Sequence, residues 1–146
     1  MSLTKSLRLV QAERPRHYDP IATRRRKMIE KLDEQMSGLV QEGEGMKPSR
    51  RTSRRVRDSE TGMLVLRELD QAVKPWWWRD AQGKFFMQLR YGTRPIELVK
   101  GKPAIQAESR EAMEKVIREI IAAVQAGELD AHLKETAETI RARFKR

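Results

Sequence analysis

The chain has no cysteine, only two histidines, and 5% aromatic residues over 146 positions. Without cysteine there is neither a disulfide framework nor a thiolate metal site. His17 and His132 stand far apart in unrelated surroundings, and no ligand cluster with metal spacing forms around either. No apolar run approaches the ~20 residues that span a bilayer. The first twenty residues, MSLTKSLRLVQAERPRHYDP, lack the apolar core and small-residue cleavage site of a signal peptide. The expectation is therefore a cytoplasmic protein without membrane attachment or cofactor. Catalysis also finds little support. No Walker loop, GxGxxG, HExxH, GxSxG or EF-hand pattern occurs. The acidic residues are spread as helix-surface charges, Glu68 and Glu97 are not marked as a dyad, and His132 sits beside carboxylates as surface histidines do. These absences favour a protein that is not an enzyme.

What the chain does have is positive charge. Lys and Arg number 31 against 21 Asp and Glu, a net +10. The excess sits in the first third, where residues 1–58 hold 15 basic and 8 acidic side chains. Such a charge implies attraction to polyanions, nucleic acid first among them, and says nothing about fold. Two runs concentrate it. "TRRRK" carries Arg24, Arg25 and Arg26, and "KPSRRTSRRVR" carries Arg50, Arg51, Arg54 and Arg55. Each is equally what a solvated helix face or a disordered linker looks like.

Periodicity predicts an α+β fold. A basic arm occupies residues 1–18, with Pro15 favouring flexibility. Asp19-Pro20 is a helix start, with Asp as N-cap and Pro at the first helical position. Apolar residues from Ile21 to Val40 then recur at three- and four-residue steps, predicting an amphipathic helix over 19–41. Two glycines and a proline end it, and residues 42–55 read as a mobile basic linker. The domain proper covers 56–146. "DSETG" is turn chemistry and suggests a hairpin pairing residues 54–57 with 63–66. Short aromatic and β-branched runs separated by turns follow: "PWWWRD", "KFFMQLRY", "PIELVK" and "AIQA". They predict a small antiparallel meander sheet of four to six strands over 56–107. Helices over 109–126, capped by Ser109, and 128–144 complete a C-terminal pair. In the second, Leu129, Leu133, Ala137, Ile140 and Phe144 form one stripe.

The aromatics concentrate in residues 73–109, including all three tryptophans. Strand alternation puts Phe85, Met87, Leu89 and Tyr91 on one face, fit to receive the 109–126 helix, and Lys84, Phe86, Gln88 and Arg90 on the other. Either Trp77 with Arg79, or Trp76 with Trp78, joins that second face, depending on register. Those outward aromatics are either covered, with the 19–41 helix as candidate cover, or available to a ligand. Arginine and glutamine can make bidentate contacts with base edges, whereas arginine-rich segments bind phosphates without reading sequence. The candidate nucleic-acid residues are thus Arg24, Arg25, Arg26, Arg50, Arg51, Arg54, Arg55, Trp77, Lys84, Phe86, Gln88, Arg90 and Arg94.

Two resemblances add to this. The opening "SLRLV", the "DP" before a basic helix, "KPWWW…G…LRYG…IEL.KGK.AI" and "AAVQAGELD" make the chain resemble small basic proteins of proteobacterial integrative elements and prophages. That resemblance implies a genomic setting and brings no activity with it. Residues 76–129, three strands followed by a helix ending "AAVQAGELD", are similar to the arm-site-binding domain of tyrosine-family phage integrases. This similarity implies a sheet set in the DNA major groove, with Lys84, Gln88, Arg90 and Arg94 facing it. The tryptophan run and the added N-terminal helix depart from that pattern. The expected function is a non-enzymatic DNA-binding accessory or regulatory protein of a mobile element or phage, with duplex DNA as partner. The alternatives are a protein-binding module, such as a subunit or inhibitor of a host factor, and a single-stranded nucleic-acid binder. A protein partner or homodimer remains open.

Overall fold

The computed structural model describes residues 3–14 and 18–144. Pro15 and His17 lie outside the described residues. The architecture is α+β: helices with small antiparallel sheets, and a helix pair after the strands. In the described part of the N-terminal segment one short helix, α1 (Leu3–Ser6), forms, and every side chain from residue 3 to 14 is exposed.

The long helix α2 (Pro20–Gly43) starts as its sequence dictates. The Asp19 carboxylate accepts the backbone N–H groups of Ile21 and Ala22 at 3.0 and 3.3 Å, satisfying donors that the first turn leaves orphaned. Its buried face is Met28, Leu32, Gln35, Gly38 and Leu39. Among the described residues the strands number seven and divide among three sheets, in place of the single meander that the sequence predicts. β1 (Ser49–Arg57) and β2 (Leu64–Ala72) make a two-stranded ribbon. β3 (Trp77–Arg79), β4 (Phe85–Met87) and β7 (Ile105–Ala107) make a three-stranded antiparallel sheet with β4 in the middle. β5 (Arg90–Tyr91) and β6 (Arg94–Pro95) form a minimal hairpin. "IELVK" is not a strand beyond Pro95; it turns, with Val99 bridged to Lys102.

Helix α3 (Arg110–Gln125) is capped by the Ser109 hydroxyl, which accepts from the Ala112 N–H at 3.1 Å. It buries Met113, Ile117, Ile120 and Val124. Gly127, at φ +84°, takes the left-handed conformation that releases the chain into α4 (Asp130–Phe144). Burial fades along the expected stripe: Leu129 and Leu133 are buried, Ala137 and Ile140 half-buried, and Phe144 is exposed.

The core lies between the inner face of the three-stranded sheet and the helices. Register places Trp77 opposite Met87 and Phe85 opposite Ala107, so these four side chains share one face. All four are buried. The indole of Trp77 fits against α2 at Gly38, where a Cβ would lie 3.0 Å from Cη2 of the ring. Its Nε1–H donates to Glu42 at 3.2 Å. Arg110 completes this corner: it donates to the Leu39 carbonyl at 2.7 Å and to Glu42 at 3.2 Å, and its guanidinium lies 5.0 Å from the Phe85 ring centre. A cation on the last carbonyls of α2 also suits the helix dipole. Trp77 is 5% exposed and sits where helix, sheet and ribbon root meet. Trp77→Ala is therefore expected to lower the unfolding free energy by about 3–5 kcal/mol. Urea denaturation followed by circular dichroism measures it.

Candidate nucleic-acid interface

The segment that reads as a linker is half of an exposed β-ribbon. Residues 49–55 belong to β1, which pairs along its whole length with β2. The reason is cross-strand pairing rather than burial: among the eighteen paired positions only Ser49, Thr52, Val56 and Val65 are even half-buried. Nine residues at about 3.4 Å each make a ribbon roughly 30 Å long. Its turn is closed by the Asp58 N–H on Met63 O (2.8 Å), by the Asp58 carboxylate on the Glu60 N–H (2.8 Å), and by Arg57 donating to Gly62 O (2.9 Å). This turn pairs Arg57 with Leu64, one residue away from the expected register. A slip of one residue exchanges the two faces, so Arg54 stands opposite Arg67 and not Leu66.

A two-stranded ribbon alone is marginal in water. Here α2 holds the chain where it enters β1 and again just after it leaves β2. Gln41 accepts the Ser49 N–H at 2.9 Å. Gln35, buried, accepts the Trp76 N–H at 2.8 Å and donates to Lys74 O at 3.1 Å. Gly38, between them on the same helix face, leaves room for Pro48 as well as Trp77. Arg50 adds an ion pair to Glu34 at 3.1 Å.

Directly paired residues share a face, so the register sorts the ribbon's charges. One face holds Arg50, Gln71, Thr52, Leu69, Arg54, Arg67, Val56 and Val65, with no carboxylate. The other holds Arg51, Asp70, Ser53, Glu68, Arg55, Leu66, Arg57 and Leu64. There Arg51 is tied to Glu68 at 3.3 Å and Asp70 at 3.6 Å. Arg54 and Arg67 have no ion-pair partner among the described residues, and neither does Arg55. Arg50 and Gln71 also line a cleft of about 440 Å³ at the ribbon's root, together with Lys31, Lys74, Trp76 and Arg90. The acid-free face therefore continues into a cationic hollow. Among the described residues its lining includes one carboxylate, Glu34, already shared by Arg50 and Lys31.

The remaining candidates separate. Trp77 is in the core, a correction to its place among the binding residues: its indole is closed off by α2. Of the two registers open in the sequence, the structure has Trp78 outward, paired with Phe86. Their rings stack with centres 5.8 Å apart and planes 14° from parallel, and Trp78 is 47% exposed. Helix α2 covers Trp77 and leaves Trp78 open. Phe86 keeps its expected face, opposite Gln106, and Lys84 and Gln88 flank it on the same strand run. Arg90 donates to the Gln88 side chain at 3.0 Å and to Thr93 O at 3.3 Å. Arg94 is half-buried opposite Tyr91.

In the first turns of α2, Arg25 is structural. It donates through Nε to Asp130 at 2.8 Å and through Nη2 to the other oxygen of the same carboxylate, fastening α2 to the start of α4. Arg26 pairs with Glu30 one turn on. Arg24 alone of the three has no ion-pair partner among the described residues. His132 is not a free surface histidine either: it is half-buried, with Nδ1 enclosed and unbonded. Among the described residues no group of three or more His, Asp or Glu side chains is placed to hold a metal ion, and no helix is long and apolar enough to cross a membrane. Comparison with protein-family models, with curated proteins and with solved structures gives no match.

Sequence reasoning missed Arg67 and Lys74, and chose Trp77 over Trp78 for the binding face. Arg67 and Lys74 are isolated cations in mixed segments and become functional candidates only through the ribbon's register and the cleft at its root. The alternation of the tryptophan run did offer Trp78, as one of two registers.

The Arg25 bond holds the Asp130 carboxyl below its ordinary value of 3.8, and the same bond raises Arg25. A carboxylate depressed in the folded state stabilises above its unfolded value, and that contribution is lost as pH falls through the folded one. Acid destabilisation below about pH 4 is therefore expected to be shallower in Asp130→Asn than in the parent, measured by denaturation series from pH 6 to pH 2.

Proposed function

We propose that the protein is a non-enzymatic DNA-binding protein whose β1–β2 ribbon enters the major groove of duplex DNA. One observation carries this. A projecting ribbon places Arg54 directly opposite Arg67 on a face without carboxylates. Like charges in direct cross-strand register are destabilising, and a polyanion relieves that repulsion. The major groove admits a two-stranded ribbon, and ribbons are an established means of reading it. Lys31, Lys74 and Arg90 line the cleft at the root and would meet phosphates flanking the groove, and Arg24 lies at the far end of α2. The net charge of +10 supports the same reading. The resemblance to proteins of integrative elements suggests a cytoplasmic accessory or regulatory role in such an element.

One feature favours a second reading. Met63, Leu64 and Leu66 stand exposed at or near the ribbon's tip, the two leucines on the face that carries Arg51. A protein partner would cover such a strip, alone or beside DNA.

Fluorescence anisotropy on duplex DNA across a salt series tests the proposal. The parent should bind tightly at low salt and weaken steeply as salt rises, because bound counterions are released. Arg54→Ala with Arg67→Ala should weaken binding at least tenfold and flatten the salt slope by about 0.9 for each phosphate no longer neutralised. Arg51→Ala, which removes a cation already held by Glu68 and Asp70, should do less. No binding in low salt, or a double variant that binds like the parent, overturns the proposal.

A further inference from the structure

We infer that the Trp78–Phe86 pair is a stacking platform for unpaired nucleotides, and that the protein prefers the junction between duplex and single strand over continuous duplex. The inference rests on the duplex reading above and adds a second, separate contact.

Trp78 is 47% exposed, stacked on Phe86, and on the sheet face away from the helices. With Phe86 stacked against the indole and the indole still half exposed, Trp78 offers a base a place to stack, since every base has a π-face. Single strands are bound in this way, with bases on aromatic side chains and cations following the backbone. The surroundings supply the polar complement. Lys84 and Gln88 flank Phe86 along its strand, and Gln106 lies across from it on β7. The nearby Asp80 is occupied as the acceptor of its own turn, taking the N–H groups of Gln82 and Lys84 at 2.9 Å each.

Position makes the platform part of a junction site. Gln88 donates its backbone N–H to Trp76 O at 3.0 Å and accepts from Arg90 through its side chain. Trp76 and Arg90 both line the cleft at the ribbon's root. Arg50 and Gln71, which also line it, belong to the acid-free face of the ribbon. The acid-free face thus leads into the cleft, and Gln88, bonded to two of the cleft's residues, lies two positions along the chain from Phe86. A duplex seated on the ribbon directs a strand leaving it past Lys74 and Arg90. Its first unpaired bases then reach the indole of Trp78.

The test uses the full chain and three DNA probes: a blunt duplex of about two helical turns, the same duplex with a thymidine tail of about six nucleotides, with 3′ and 5′ tails made separately, and the free thymidine strand. At least one tailed duplex should bind about tenfold tighter than the blunt one, the gain expected of one well-stacked base. Tryptophan emission should be quenched by the tail. In Trp78→Leu, which keeps an apolar side chain at an exposed position, tailed and blunt probes should bind alike and the quenching should vanish, although Trp76 and Trp77 remain. Equal affinity of the parent for tailed and blunt duplexes, or a tail preference that survives in Trp78→Leu, overturns the inference and leaves the duplex reading standing. Failure of the parent to bind the blunt duplex overturns the duplex reading itself, and the inference falls with it.

Discussion

The contact between Trp77 and Gly38 is the constraint on which the rest of the structure depends. A glycine in the interior of a helix is unfavourable by about 1 kcal/mol relative to alanine, and in α2 this position is buried. The gain is a notch. Any Cβ there would meet the Trp77 ring at 3.0 Å and the Pro48 ring at 3.1 Å. The notch lets the inward tryptophan of β3 and the residue that leads into β1 approach the same turn of helix. Sheet, helix and ribbon root therefore share one point of contact. Glu42 and Arg110 then lock the corner, because Glu42 accepts from both the indole and the guanidinium.

The same turn of α2 decides how the ribbon can act. Gln35, Gly38 and Gln41 recur at three-residue steps and so lie along one side of the helix. The two amides satisfy backbone groups at the ribbon's entry and just past its exit, and the glycine admits the proline that precedes β1. Leaving such groups unpaired in a partly buried position costs about 1–3 kcal/mol each. The root is thus fixed to the body while the rest of the ribbon is held mainly by its own cross-strand bonds. A rigid mount matters for recognition, since an element already ordered loses less entropy on binding than a disordered arm of the same charge.

The helices were legible because burial leaves a period in the sequence. Met28, Leu32 and Leu39 in α2, and Met113, Ile117, Ile120 and Val124 in α3, are the apolar steps that mark each helix, with Asp19 and Ser109 at their starts. The inner face of β4 was legible for the same reason. The ribbon was not. Its strand identity comes from pairing between two exposed segments, and "SRRTSRRVR" contains one apolar residue, so its composition matches a disordered linker. Its register could not be read from a hydrophobic pattern, because no face is buried to enforce one. The turn fixes it instead, through Asp58 and Gly62. Arg25 shows the converse. In a run of three arginines, only the three-dimensional position of Asp130, 105 residues away, distinguishes the structural guanidinium from its neighbours.

Charge in this molecule is therefore sorted by geometry more than by sequence. The arginines that look alike in two runs have different fates. Arg25, Arg26, Arg50 and Arg51 meet carboxylates, whereas Arg24, Arg54 and Arg55 have none as ion-pair partners among the described residues. Arg54 goes further, facing Arg67 across a ribbon that has little stability to spare. Surface ion pairs are worth little, typically below about 1 kcal/mol, so replacing either arginine with glutamate would gain only a modest pair. A direct like-charge pair nonetheless runs against the local stability of the strand. Conflicts of this kind between local preference and fold are expected at functional positions. The carboxylate-free face, and the unrelieved arginine pair within it, depart from the simplest stable design, and they stand on a root that is fixed to the body.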